Sequence, residues 1–71
     1  MAEYYELKKQ FGASVKARRK QLGITQAQLG KRAELCRCYI SDVERRERNI
    51  SLEKVEEIAQ ALDVSCATLF S

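Results

Sequence analysis

The chain has 71 residues, 32% of them charged and 45% hydrophobic, with a net charge of +3, three glycines, three cysteines and neither proline nor histidine. A chain of this size holds one compact domain, expected to span residues 1–71, and its composition suits an all-α globule rather than a disordered or disulfide-stapled one. No apolar run approaches the roughly 18 residues of a membrane span and "MAEYYELKKQFG" lacks the apolar core of a secretory signal, so a cytoplasmic location without membrane contact is expected, where thiols stay reduced.

The first helix is read in "ELKKQFGASVKARRKQL", where Leu7, Phe11, Val15 and Leu22 fall within about 80° of one another at 100° per residue, ending near Gly23. Thr25 and Gln28 have capping-box spacing and open a short second helix, with Leu29 and Ala33 inward and Gly30 leaving room for another helix to approach. A third helix runs from about Cys36 or Arg37 to Arg45 or Arg46. Ser51 caps a fourth, in which Leu52, Val55, Ile58, Ala59 and Leu62 share one face, and Ser65 caps a last turn carrying Leu69 and Phe70.

The third helix has two opposite faces. With Arg37 set at 0°, Ile40 and Val43 lie at about 300° and 240°, while Cys38, Ser41, Asp42 and Arg45 lie between about 40° and 140°. Glu44, at about 340°, borders the buried side, where a carboxylate needs a cationic partner. Basic residues cluster at Lys16, Arg18, Arg19 and Lys20, at Lys31 and Arg32, and at Arg37, Arg45, Arg46 and Arg48, whereas the C-terminal third is acidic, so one end of the molecule is suited to phosphate. Two short helices joined by a tight turn, the second exposing small polar and basic groups, form a helix-turn-helix over about residues 25–46.

From Phe11 to Phe70, through "ITQAQLGKRA", "YISDVERRERNISLE" and "IAQALDVSCATLF", the chain resembles the XRE family of Cro and phage-repressor type DNA-binding domains. "R-x-Y-I-S-x-x-E-R-x-x-R-N" looks especially like controller proteins of restriction-modification systems. The resemblance implies a five-helix, lambda-repressor-like fold and a regulator of transcription that binds double-stranded DNA. It places Arg37 and Cys38 at base-reading positions, with Tyr39, Ser41 and Asp42 as further base contacts, and Gln26, Arg45, Arg48 and Asn49 at phosphate. It also pairs Arg19 with Glu44 as a structural ion pair. The chemistry agrees: arginine pairs with guanine O6 and N7, a small side chain meets a thymine methyl, and a carboxylate accepts from cytosine N4. One departure is Glu34, which stands where the family often has a glycine in the left-handed conformation.

Competing functions are less well supplied. Without histidine, a glycine-rich phosphate loop or paired carboxylates, no catalytic residue, cofactor or small-molecule ligand is expected. A thiol- or metal-responsive regulator would use Cys36, Cys38 and Cys66, but residues two apart on a helix diverge by about 200° and structural zinc wants four ligands, so no metal is expected. A protein-interaction module, antitoxin-like or adaptor, would show aromatic or aliphatic anchors on the outward face of the third helix, where Arg37, Cys38, Ser41 and Arg45 stand instead. Leu62, Val64, Leu69 and Phe70 supply more apolar surface than one small core uses, which predicts a homodimer through this segment on a palindromic operator.

Overall fold

The computed structural model describes residues 2–47 and 49–70, with side chains described from residue 6 onward. Five helices follow one another, α1 (Ala2–Leu22), α2 (Gln26–Ala33), α3 (Arg37–Glu44), α4 (Leu52–Ala61) and α5 (Cys66–Leu69), and no strand occurs among the described residues. None of these helices is long and apolar enough to cross a membrane.

Local chemistry sets where four of the helices begin. At α2 both halves of the capping box form: the Gln28 N–H donates to Thr25 Oγ1 at 3.0 Å, and the Thr25 N–H donates to Gln28 Oε1 at 2.8 Å. Ser51 accepts from the Lys54 N–H at 3.3 Å and Ser65 from the Thr68 N–H at 3.4 Å, so each serine satisfies a donor that its helix leaves unpaired. The cap of α3 is Cys36, in extended backbone (φ −74°, ψ 156°), whose Sγ accepts from the Tyr39 N–H at 3.3 Å. Cysteine is not among the residues that favour this position, so only its place before Arg37 hinted at the role.

The first four helices end on one shared device. After α1, Gly23 takes φ +70°, and the Ile24 N–H returns to the Arg19 carbonyl. After α2, α3 and α4 the left-handed residue is Glu34, Arg46 and Asp63, at φ 58°, 65° and 59°, followed by the same long return bond from Leu35 to Gly30, Glu47 to Asp42 and Val64 to Ala59. These bonds satisfy orphan carbonyls, but a side chain in this conformation costs about 1 kcal/mol relative to glycine. The Glu34 turn thus adopts the family's left-handed conformation without its glycine. Gly30 leaves room for this turn and for the start of α3, because a Cβ there would sit 2.6 Å from the Leu35 carbonyl oxygen and 3.5 Å from the Arg37 nitrogen.

All five helices contribute to one core: Phe11 and Val15 from α1, Leu29 and Ala33 from α2, Ile40 and Val43 from α3, Val55, Ile58 and Ala59 from α4, then Leu62 and Leu69. Of the residues assigned to apolar stripes, Leu22 is half-buried against this core and two others are exposed. Leu7 is 48% exposed and Leu52 is 83% exposed. Both stand at the rim of an apolar hollow shared with Phe11, Ile50, Val55 and Phe70, where the bundle ends and angular phase no longer determines burial.

Candidate nucleic-acid interface

The inner face of α3 is held from both sides. Ile40 and Val43 anchor it in the core, and one turn later the Glu44 carboxylate, 8% exposed, is clamped by two helices. From α1, Arg19 donates through Nε to Glu44 Oε2 at 2.7 Å and through Nη2 to Oε1 at 3.0 Å, while its Nη1 binds the Ile24 carbonyl at 3.0 Å. From α2, the Gln26 amide donates to Glu44 Oε1 at 3.2 Å. A paired guanidinium and an amide offset much of the desolvation of the buried carboxylate, and the Glu44 hydrogen bond raises the Arg19 pKa above its ordinary value. The fork ties α1, α2 and α3 together, which fixes the angle at which α3 leaves the turn.

The opposite face is polar and open. Arg37 and Cys38 are exposed in the first turn of α3, and among the described residues Arg37 forms no ion pair or side-chain hydrogen bond. Ser41 and Asp42 are half-buried on the same side; Tyr39 is half-buried and packs against the core edge. Asp42 and Arg45, expected at base and phosphate respectively, meet each other at 2.9 Å, and Arg45 also reaches Glu47 at 3.3 Å. Such exposed pairs are worth at most about 1 kcal/mol, so they orient Arg45 without locking it. Asn49 is exposed and accepts from Lys8 Nζ at 3.5 Å. Arg48 lies outside the described residues.

Cys36 and Cys38 are both exposed. The neighbouring Cys38 thiol and the Tyr39 N–H hold the Cys36 thiol below its usual pKa, while the nearness of Cys36 pushes Cys38 up. The 200° divergence applies inside a helix, and Cys36 is the cap outside it. Among the described residues no three potential ligands gather to hold a metal.

Two sets of residues depart from expectation. Leu62 and Leu69 are 0% and 1% exposed within the single chain, so neither can supply a dimer surface; the core has taken them because α5 folds back onto α1 and α4. Val64 and Phe70 stay half-buried, with the Phe70 ring stacked on Phe11 at 5.2 Å between centroids. The first basic cluster is also partly structural. Arg18 donates through Nε to the Leu62 carbonyl at 3.0 Å, capping the end of α4, a long-range contact for which spacing gives no signal.

A two-helix unit with its second helix clamped inward and polar outward has close counterparts. A family model described as helix-turn-helix matches residues 15–69. The chain belongs to the XRE-type helix-turn-helix family. Among members of this family it is 42% identical over 55 residues to the control protein C.BamHI of Bacillus amyloliquefaciens, covering 76% of this chain and 68% of that protein. It is 40% identical over 58 residues to the immunity repressor of Bacillus phage phi105, covering 82% of this chain but only 40% of the repressor's length. The crystal structure of the restriction-modification controller protein C.AhdI from Aeromonas hydrophila superimposes with a TM-score of 0.86 at 35% identity, covering 89% of this chain and 96% of that one.

Proposed function

We propose that residues 1–71 form a single DNA-binding unit that regulates transcription by docking α3 in the major groove of double-stranded DNA, in the manner of a restriction-modification controller or a phage-type repressor. The observation that carries this reading is the asymmetry of α3: a clamped inner face and an outer face whose leading residue, Arg37, has no competing partner among the described residues. Arg37 reads guanine O6 and N7, Cys38 meets a thymine methyl, and Ser41, Tyr39 and Asp42 complete the base contacts. Gln26, already braced on Glu44 through one amide N–H, has a second N–H for phosphate, and Arg45, Arg48 and Asn49 extend the phosphate track. The setting is the cytoplasm, where the duplex is accessible.

One domain of this size makes few base contacts, and two copies on one duplex supply the missing specificity. The apolar residues left for a homodimer are Leu7, Leu52, Val64 and Phe70 rather than Leu62 and Leu69. A two-fold pairing that sets the two α3 helices about 34 Å apart fits a palindromic operator with half-sites one turn of B-DNA apart. Selection from randomised duplexes tests the reading: it predicts a two-fold symmetric site, and enrichment of no sequence contradicts it. In sedimentation at micromolar concentration, Leu52→Asp is expected to shift the parent from dimer to monomer with its helicity retained, whereas a parent that is monomeric on its operator contradicts the dimer.

A further inference from the structure

We propose that Cys36 and Cys38 form a peroxide-oxidisable dithiol at the leading end of α3, and that closing it to a disulfide weakens DNA binding. The proposal rests on the DNA-binding reading above for its consequence, though not for its chemistry. Three observations carry it. Both thiols are exposed, so an oxidant reaches them. Cys36 stands outside the helix in the extended cap conformation, its Sγ held over the first turn by the Tyr39 N–H at 3.3 Å, while Cys38 sits within that turn. Helix geometry sets Cα atoms two residues apart at about 5.4 Å, inside the range a disulfide spans.

The roles of the two thiols follow from their surroundings. Cys36 receives the Tyr39 N–H at 3.3 Å, which favours its thiolate, and its pKa is held below the usual value while that of Cys38 is pushed up, so Cys36 is the attacking sulfur. Its thiolate attacks one oxygen of hydrogen peroxide, the O–O bond breaks, hydroxide leaves, and Cys36 becomes a sulfenic acid. The Cys38 sulfur then attacks Cys36, the S–O bond breaks, and the departing hydroxide takes the Cys38 proton to leave as water. In sum a dithiol and one peroxide give a disulfide and two waters. Cys66 is half-buried on α5 and takes no part.

Closure acts on the face assigned to reading DNA. Drawing Cys36 Sγ onto Cys38 pulls it from the Tyr39 N–H, so the first turn of α3 loses its cap. The new bond closes a small covalent ring through Arg37, which turns that side chain, and removes the thiol of Cys38 from the surface.

The test uses the purified full chain and measured hydrogen peroxide. Trypsin cuts after Arg37, between the two cysteines, so the oxidised parent is expected to yield two peptides joined by a disulfide, separated again by dithiothreitol. Affinity for the selected duplex is expected to fall about tenfold, the effect of losing one good base contact, and to recover on reduction. Cys36→Ser keeps a favoured cap and Cys38→Ala keeps that cap's sulfur; each is compared with its own reduced form and is expected to lose no affinity reversibly. Absence of the joined peptides from the oxidised parent, or an equal reversible loss in Cys36→Ser, overturns the proposal. If the reduced parent prefers no duplex, the DNA-binding reading fails on its own account, and the peptide map still decides whether the dithiol closes.

Discussion

The two faces of α3 are built on opposite principles. On the inner face every polar group is answered: Glu44 receives three donated hydrogen bonds, from Arg19 twice and Gln26 once, and its neighbours Ile40 and Val43 are almost wholly buried. On the outer face Arg37 has no partner among the described residues, and the Asp42–Arg45 pair is exposed to water on its arginine side. The inner face determines where the helix sits, so the outer face is free to be chosen for what it touches. A helix whose position depended on its outer residues could not change its reading without changing its fold.

That division is broken most severely by Glu44→Ala, which strands Arg19 and is expected to destabilise the domain by about 3–5 kcal/mol in urea unfolding. The double variant Glu44→Leu with Arg19→Met removes both charges and should recover most of that loss; equal stability of Glu44→Ala and the parent would show that the clamp does not hold α3. Arg18→Met removes the bond to the Leu62 carbonyl at the end of α4, a contact that does not involve α3, and is expected to lower stability by about 1 kcal/mol while leaving sequence preference intact. A change in the selected DNA motif would mean that the inner face is not one rigid unit. The smallest effect is a gain: Glu34→Gly relieves a left-handed side chain in the turn before α3 and should raise stability by about 1 kcal/mol. Loss of stability there would mean that the Glu34 side chain contributes more than its backbone strain costs.

What was legible in the sequence is mainly what depends on few residues at short range. The Thr25–Gln28 capping box, the serine caps at 51 and 65, and the inward set Ile40 and Val43 follow from chemistry within a few residues, and the structure realises each. The Arg19–Glu44 pair spans 25 positions; Glu44's place on the helix border called for a cation, and the family resemblance supplied which one. Residues at element ends were read less well. Leu52 and Leu7 carry the right helical phase but stand where the bundle stops, and phase says nothing about where a neighbour ends. Leu62 and Leu69 erred in the other direction, because counting apolar residues does not reveal how tightly a four-residue helix folds back. The left-handed ends at Arg46 and Asp63 gave no signal, since glycine is the usual marker and neither position has it. Cys36 gives no signal as a cap because cysteine is not a usual capping residue, yet its Sγ accepts from the Tyr39 N–H.

Selection of bound sequences from randomised duplexes, run in parallel on the parent and on Arg37→Ala, tests most directly the claim that the outer face of α3 reads DNA. Arg37 is exposed and apart from the clamp, so the variant should fold as the parent does. The selected motif of the variant is expected to lose preference at one base pair in each half-site, worth about 1–3 kcal/mol there, with the other positions retained. Recovery of the same motif at the same strength would contradict it.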